Sequence, residues 1–330
     1  MVRAAIIHLP TAGQRQAIRR QLGTLHSNLV KRITQERYAH HFNQFIDYLQ
    51  TTIGVLPASA PEYDLYLSEF LEVLWDSGEP KTNGTYTVAA VQYFLPQLRK
   101  QLPRSWRLKA VWDKLELPSQ AVPLTIDSLW GIMGWFAYKS HWHIAFGCAL
   151  AFNGLLRTGE LLNLRVCDCT WTDQGFILTL QNTKGAQRRL LQDESVLITD
   201  PLTMTLIVKL TKGRSPGDLL VPVSPQRFRT LWNKMRKDLG LQNDRFIPYS
   251  LRRGGATWYF NETGSFSRTM LRGRWQHLKT CKLYISQAQL ALSHFSLPSR
   301  SQSLLTLYAA TLRPHLHLWA SQGCVELKSS

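Results

Sequence analysis

Leu156-Arg157-Thr158-Gly159-Glu160-Leu161-Leu162-Asn163-Leu164 is the stretch on which the fold turns. It closes the most apolar segment of the chain, Ile144 to Leu156, which falls short of the ~20 residues that cross a bilayer and carries Cys148 and Asn153. That segment reads as a buried helix. Beyond it, Leu161 and Leu164 give a second short helix an apolar face, while Arg157 and Glu160, three apart, can meet. An arginine at the end of an apolar helix, beside a Thr-Gly break, is poorly placed for an ordinary surface role. A capping or ion-pairing arginine is the commoner case.

Upstream, Ile126 to Tyr138 reads as another helix, and Leu117-Pro118-Ser119-Gln120-Ala121-Val122-Pro123, with two prolines and no helical period, as an interdomain linker. The expected domains are 1–118 and 119–330. Before the linker, four apolar stripes predict a small helical bundle. They are Tyr38, Phe42, Phe45, Ile46 and Leu49, with Thr34 as cap; Tyr66, Phe70, Leu71 and Leu74; Val88, Val91, Leu95 and Leu98, shortened or kinked by Pro96; and Leu108, Val111, Trp112 and Leu115. Downstream, Phe176, Leu178 and Leu180 alternate as in a strand, Asn182-Thr183-Lys184-Gly185 makes a turn, and Arg188 to Leu191 leads into a second strand. Helices resume after Asp200, one of them striped by Phe228, Leu231, Trp232, Met235 and Leu239. The fold class expected is mainly α with a small β-hairpin or sheet (α+β).

Composition suits a globular chain: 330 residues, 44% hydrophobic and 18% charged. The formal charge is +17, carried unevenly, with 14 basic against 10 acidic residues up to Pro118 and 25 against 12 beyond it. Such a surplus attracts a polyanion, either nucleic acid or an acidic membrane surface. Five irregularly spaced cysteines, among them the lone Cys167-Asp168-Cys169, argue for reduced thiols inside a cell and against a zinc site. Met1 to Thr11 is too short an apolar run for a signal peptide. An intracellular location is expected, in a nucleus or a bacterial cytoplasm.

Three more clusters carry chemistry. Lys184 sits at the tip of the predicted hairpin, where lysine usually serves solubility, and Arg188 and Arg189 beside it can contact phosphates. Tyr249-Ser250-Leu251-Arg252-Arg253-Gly254-Gly255-Ala256-Thr257 places arginines before two glycines, with a packed helix expected from Ala256; Arg252 and Arg253 are phosphate clamps near a helix start or merely a basic cap. Leu271-Arg272-Gly273-Arg274-Trp275-Gln276-His277-Leu278 runs on to Tyr284, a position that is usually core.

In this order and spacing the clusters resemble the tyrosine recombinase, or phage integrase, family. Its catalytic domain carries an R-x-x-E-L box, a hairpin lysine, an H-x-x-R box, a His or Trp, and a tyrosine nine residues later. Here these are Arg157 to Leu161, Lys184, Tyr249 to Arg252, Trp275 and Tyr284. The resemblance covers residues 122 to 290 by motif, and implies a helical, SAM-like core-binding domain ahead of them. It implies a DNA strand-transferase, from a mobile element, that needs no metal or cofactor and works on double-stranded DNA as a tetramer, with no membrane partner. Tyr284 is then the nucleophile that forms a 3′-phosphotyrosyl bond, Arg157 and Arg252 neutralise the phosphate, Lys184 protonates the leaving 5′-oxygen, and Trp275 donates from its indole. Glu160 orients the basic side chains, and Arg188, Arg189 and Arg253 bind DNA. Tyr249 departs from the pattern, standing where histidine is commonest; a phenol donates a hydrogen bond but is a poor general base. The tail, with Leu304, Leu307, Leu312 and Leu318 among breaks at Pro298 and Pro314, either docks on a neighbouring subunit, as in the family, or packs on its own core. The alternatives are a recombinase-derived DNA-binding protein without activity, a type IB topoisomerase, and a helical protein scaffold.

Overall fold

The computed structural model describes residues 11–117, 120–181, 193–242, 246–287, 290, 292 and 297–326, with side chains as far as 316. The chain divides into two compact units, Met1–Ser119 and Gln120–Ser330.

The first unit is helical: α1 (Ala12–Leu22), α2 (Arg32–Tyr48), α3 (Ala60–Asp76), α4 (Lys81–Phe94) and α5 (Pro103–Leu115). Its core draws on the apolar stripes, with Phe45, Leu49, Phe70, Leu71, Leu74, Val88, Val91, Leu98 and Trp112 buried together. Side-chain oxygens and prolines start the helices: Ser59 accepts from Glu62 N and Pro61 opens α3, while Pro103 opens α5. The α4 stripe is cut short, since the helix ends at Phe94 and Pro96 begins a 3₁₀ turn. Thr34 is not the cap expected of it; α2 starts three residues earlier, after Lys31, with no side-chain cap.

The second unit opens with α6 (Ile126–Tyr138), capped by Thr125 on Ser128 N, and α7 (Trp142–Asn153). α8 (Thr158–Asn163) leads into an antiparallel sheet of β1 (Cys169–Thr172), β2 (Gly175–Gln181) and β3 (Asp193–Ile198), in that order. Phe176, Leu178 and Leu180 point inward from β2 as their alternation requires. The sequence reading missed β1, a four-residue strand of mixed character. The second strand, expected to follow Arg188 to Leu191, is β3, which opens on the polar Asp193-Glu194-Ser195; residues 188–191 themselves lie outside the described residues. α9 (Pro201–Thr211), α10 (Pro225–Asp238), α11 (Tyr249–Thr263), α12 (Phe266–Gly273), α13 (Leu278–Tyr284) and α14 (Ser299–Glu326) follow.

Two glycines set how these helices meet. A Cβ on Gly255 would lie 2.0 Å from the Phe152 carbonyl oxygen, and one on Gly134 2.0 Å from that of Tyr308. The first lets α11 lie against the end of α7; the second lets α14 lie on α6. α11 begins at Tyr249, a full two turns before the expected Ala256, so both glycines of its sequence are interior. The tail forms one helix that runs through Pro314, not a chain broken there, and its described side chains Leu305, Ala309, Leu312 and Leu316 are buried in the same chain. Pro298, immediately ahead of α14, does mark a boundary. Among the described residues no helix is long and apolar enough to cross a membrane, and no group of His, Cys, Asp and Glu is placed to hold a metal ion.

Candidate active site

The end of α7 sets the site. After Asn153 the chain turns through Leu155, whose φ of 47° is left-handed. This aims the Leu155 carbonyl at two guanidinium groups: it accepts from Arg252 Nη1 and, at 3.2 Å, from Arg274 Nη2. Arg157 then caps α8. Its backbone N–H donates to Glu160 Oε2 at 2.8 Å and its Nη1 to Glu160 Oε1 at 2.5 Å, so the i, i+3 pair read from the sequence forms.

Glu160 is the hub. Arg274 Nη2 donates to it at 2.6 Å, and Arg252 Nη1 stands 3.7 Å away. Burial alone would raise its carboxyl, but Arg274, the Arg157 backbone N–H, and the Arg252 and Arg157 guanidinium groups outweigh that and hold it below the usual carboxylate range. Arg274 also reaches the buried Glu194 of β3, at 3.5 Å. Three guanidinium groups, Arg157, Arg252 and Arg274, thus share two carboxylates among the described residues, which leaves a positive surplus suited to an anion.

Arg252, in the first turns of α11, is fully buried. Nη2 donates to the Gly273 carbonyl at 2.7 Å, whereas Nε has no hydrogen-bond partner among the described residues. Its guanidinium lies 5.1 Å from the Trp275 ring centre and 5.4 Å from that of Tyr284. Burial lowers its pKa, with Arg157 adding to the effect and Glu160 opposing it. The Trp275 ring packs on Tyr284 at 4.4 Å between centres, and its indole N–H is also buried without a partner among the described residues. A buried donor left empty costs about 1–3 kcal/mol, and the indole N–H groups of Trp112 and Trp135, in the cores of the two units, are left in the same state among the described residues.

Tyr284 ends α13, its carbonyl held by Thr257 Oγ1 at 3.1 Å. Its hydroxyl and that of Tyr249 hydrogen-bond to each other. Burial, and then this bond to Tyr284, raise the Tyr249 pKa further above the ordinary phenol value, so Tyr249 stays protonated at neutral pH.

The structure therefore brings together Arg157, Glu160, Tyr249, Arg252, Trp275 and Tyr284. Lys184, Arg188 and Arg189 lie outside the described residues. Arg253, expected to face DNA, is turned inward: it is 3% exposed and its Nη2 donates to the Leu283 carbonyl at 3.1 Å, steadying the segment that delivers Tyr284. The reason is the early start of α11, which puts Arg253 on the face that α13 covers. Sequence reading gave no role to Arg274 or Glu194. Arg274 sits in the quoted Gly273-Arg274-Trp275, but only a φ of 57° at that residue, which ends α12, swings its side chain inward. Glu194 carried one signal, an acid at an inward position of a strand that alternates exposed and buried.

The arrangement defines a class: this chain has the fold of the tyrosine recombinases and integrases. Among solved structures it is similar to the Tn1549 transposon integrase in complex with transposon right end DNA, at 13% identity and a TM-score of 0.58, over 82% of this chain and 95% of that one. It is similar to a lambda integrase dimer bound to a COC′ core site (16%, 0.54, 83% and 95%), and to XerH site-specific recombinase bound to difH substrate (13%, 0.51, 80% and 79%). No protein-family model and no curated protein matches the chain by sequence.

Proposed function

We propose that this chain is a site-specific DNA recombinase or integrase that cuts and rejoins double-stranded DNA through a 3′-phosphotyrosyl intermediate on Tyr284. The observation that carries this reading is the Tyr284 ring packed on Trp275 and over Arg252, whose Nε and the Trp275 indole N–H are both empty among the described residues.

A backbone phosphate would take those donors, with Arg157 and Arg252 neutralising the charge that spreads over its non-bridging oxygens. The Tyr284 oxygen attacks phosphorus, the bond to the 5′-oxygen breaks, and Lys184 supplies the proton that the 5′-hydroxyl needs while the phenol proton passes to solvent. Bond energy is kept in the phosphotyrosyl ester, so a 5′-hydroxyl from another strand reverses the step. Tyr249, protonated, donates to the Tyr284 oxygen or to the phosphate. The expected DNA contacts come from the basic second unit, with Arg188 and Arg189 among them, and the helical first unit would serve as a core-binding, SAM-like domain. The working form would be a tetramer on DNA, of mobile-element origin, inside a cell.

A nicked suicide duplex tests this reading: the wild-type chain should leave a covalent adduct that survives detergent, and Tyr284→Phe none. DNA binding without an adduct in the wild type would instead identify a recombinase-derived DNA-binding protein. That second reading is favoured by Tyr249 in the place of a base and by the complete burial of Arg252.

A further inference from the structure

Arg274 stands in the site without a part in the chemistry proposed for it. It is buried, with 4% of its side chain exposed, and it ends α12 in left-handed backbone at a φ of 57°. Glycine takes that conformation freely and other residues take it against steric resistance, so an arginine there is held by its side chain. The guanidinium joins three segments. Nη2 donates to Glu160 Oε2 of α8 at 2.6 Å and to the Leu155 carbonyl at 3.2 Å, Nη1 donates to the Gly154 carbonyl at 3.4 Å, and Nε stands 3.5 Å from Glu194 Oε2 of β3. Arg252 faces two of the same acceptors. The Leu155 carbonyl takes its Nη1, and Glu160 Oε2 lies 3.7 Å from that atom, too far for a hydrogen bond.

We propose that Arg274 is a positioning residue of the phosphate site: it holds the Glu160 carboxylate, with Glu194 as its second anchor, so that Arg252 stays open to an anion. The identity of that anion, a DNA phosphate, rests on the recombinase reading. The Glu160 side chain is 8% exposed and that of Arg252 not at all, so little water lies between them and their attraction is strong. Arg274, closer to Oε2 than Arg252 is, keeps that oxygen from its neighbour. With the cation gone, Arg252 is left facing Oε2. The carboxylate then closes on it, fills its donors and cancels the charge that a phosphate needs. Glu194, its side chain 3% exposed, pulls on the other edge of the Arg274 guanidinium and ties it to the sheet. Gly273, one residue before Arg274, gives its carbonyl to Arg252 Nη2 at 2.7 Å, so the same turn fixes the far side of Arg252.

The test uses the full chain and the nicked suicide duplex, with cleavage followed at saturating protein and counted per folded molecule. Arg274→Met should slow adduct formation about a hundredfold and change duplex Kd by less than about threefold. Arg274→Lys, which keeps a charge beside Glu160, should recover about tenfold of that loss. Glu160→Gln added to Arg274→Met removes the carboxylate that would close on Arg252, so the double variant should cleave about tenfold faster than Arg274→Met alone. Purely architectural damage would make the pair slower. A duplex with sulfur as the bridging 5′ atom, which leaves without a proton from Lys184, should show the same losses. Should Arg274→Met not fold, Glu194→Gln takes its place, with cleavage about tenfold slower at unchanged duplex affinity. Cleavage within about threefold of wild type, a loss that shows only as weaker binding, a double variant slower than Arg274→Met, or recovery on the sulfur duplex would each overturn the proposal. A wild type that leaves no adduct sinks the recombinase reading instead, and inorganic phosphate, followed by phosphorus NMR line width, then decides. It should bind the wild type, bind Arg274→Met about tenfold more weakly, and recover in the double variant. No binding to the wild type, or equal binding to Arg274→Met, overturns the proposal.

Discussion

The two units bury charge in different ways. In the first, Asp64 is buried in an apolar bundle, and its carboxylate accepts from Arg104 N at 2.8 Å, Ser105 N at 2.9 Å and Ser105 Oγ at 2.7 Å. It caps α5, and its oxygens are filled by the chain itself. In the second unit, guanidinium groups converge on Glu160 and Glu194 with a positive surplus, and donors on Arg252 and Trp275 stay empty among the described residues. A buried charge with every bond made within the fold is architecture. A buried cluster with donors left over carries a cost to stability, and under the proposed function a phosphate would take those donors.

The comparison can be broken most directly at the nucleophile. Tyr284→Phe should lower covalent adduct by at least about a thousandfold, in a suicide-duplex assay, while the melting temperature hardly moves. Adduct that persists would move the chemistry elsewhere. Next in size is Glu160→Ala, which leaves buried guanidinium groups facing one another and should cost about 3–5 kcal/mol in denaturant unfolding. The sign of its pH dependence follows from the lowered carboxyl of Glu160. Its contribution is complete above the unfolded carboxyl value, near ~4.3, and fades as pH falls through the lower folded one, so wild type and Glu160→Gln should converge in acid. Gly255→Ala should cost about 3 kcal/mol, because its Cβ meets backbone that cannot yield. On the other side of the comparison, Asp64→Ala should cost only about 1–2 kcal/mol and leave adduct formation per folded molecule unchanged. The smallest effect belongs to Tyr249→His. Because Tyr249 stays protonated, the wild-type cleavage rate should show no limb near neutrality, whereas the histidine variant should gain one at about pH 6–7.

How much of the molecule is legible in its sequence differs from element to element. The bundle stripes and the alternation of β2 can be read because helix and strand periods are local, and Ile126–Tyr138 is bounded to the residue. The start of α11 is misjudged because Gly254-Gly255 looks like a break; only the carbonyls of Leu124 and Phe152, packed where Cβ atoms would stand, explain glycines inside a helix. Pro314 misleads for a like reason, since packing on α6 carries α14 through it.

By themselves, the order and spacing of Arg157, Glu160, Arg252, Trp275 and Tyr284 point to one site, because residue type sets which groups can meet a phosphate. The sequence alone does not say that Arg274 bridges Glu160 and Glu194, that Arg253 turns inward, or that Tyr249 holds the Tyr284 hydroxyl. Those outcomes depend on two left-handed backbone turns, at Leu155 and Arg274, and on contacts between segments as far apart as α8 and α12. Only the folded chain brings such segments within reach, and burial then decides which charges must be paired.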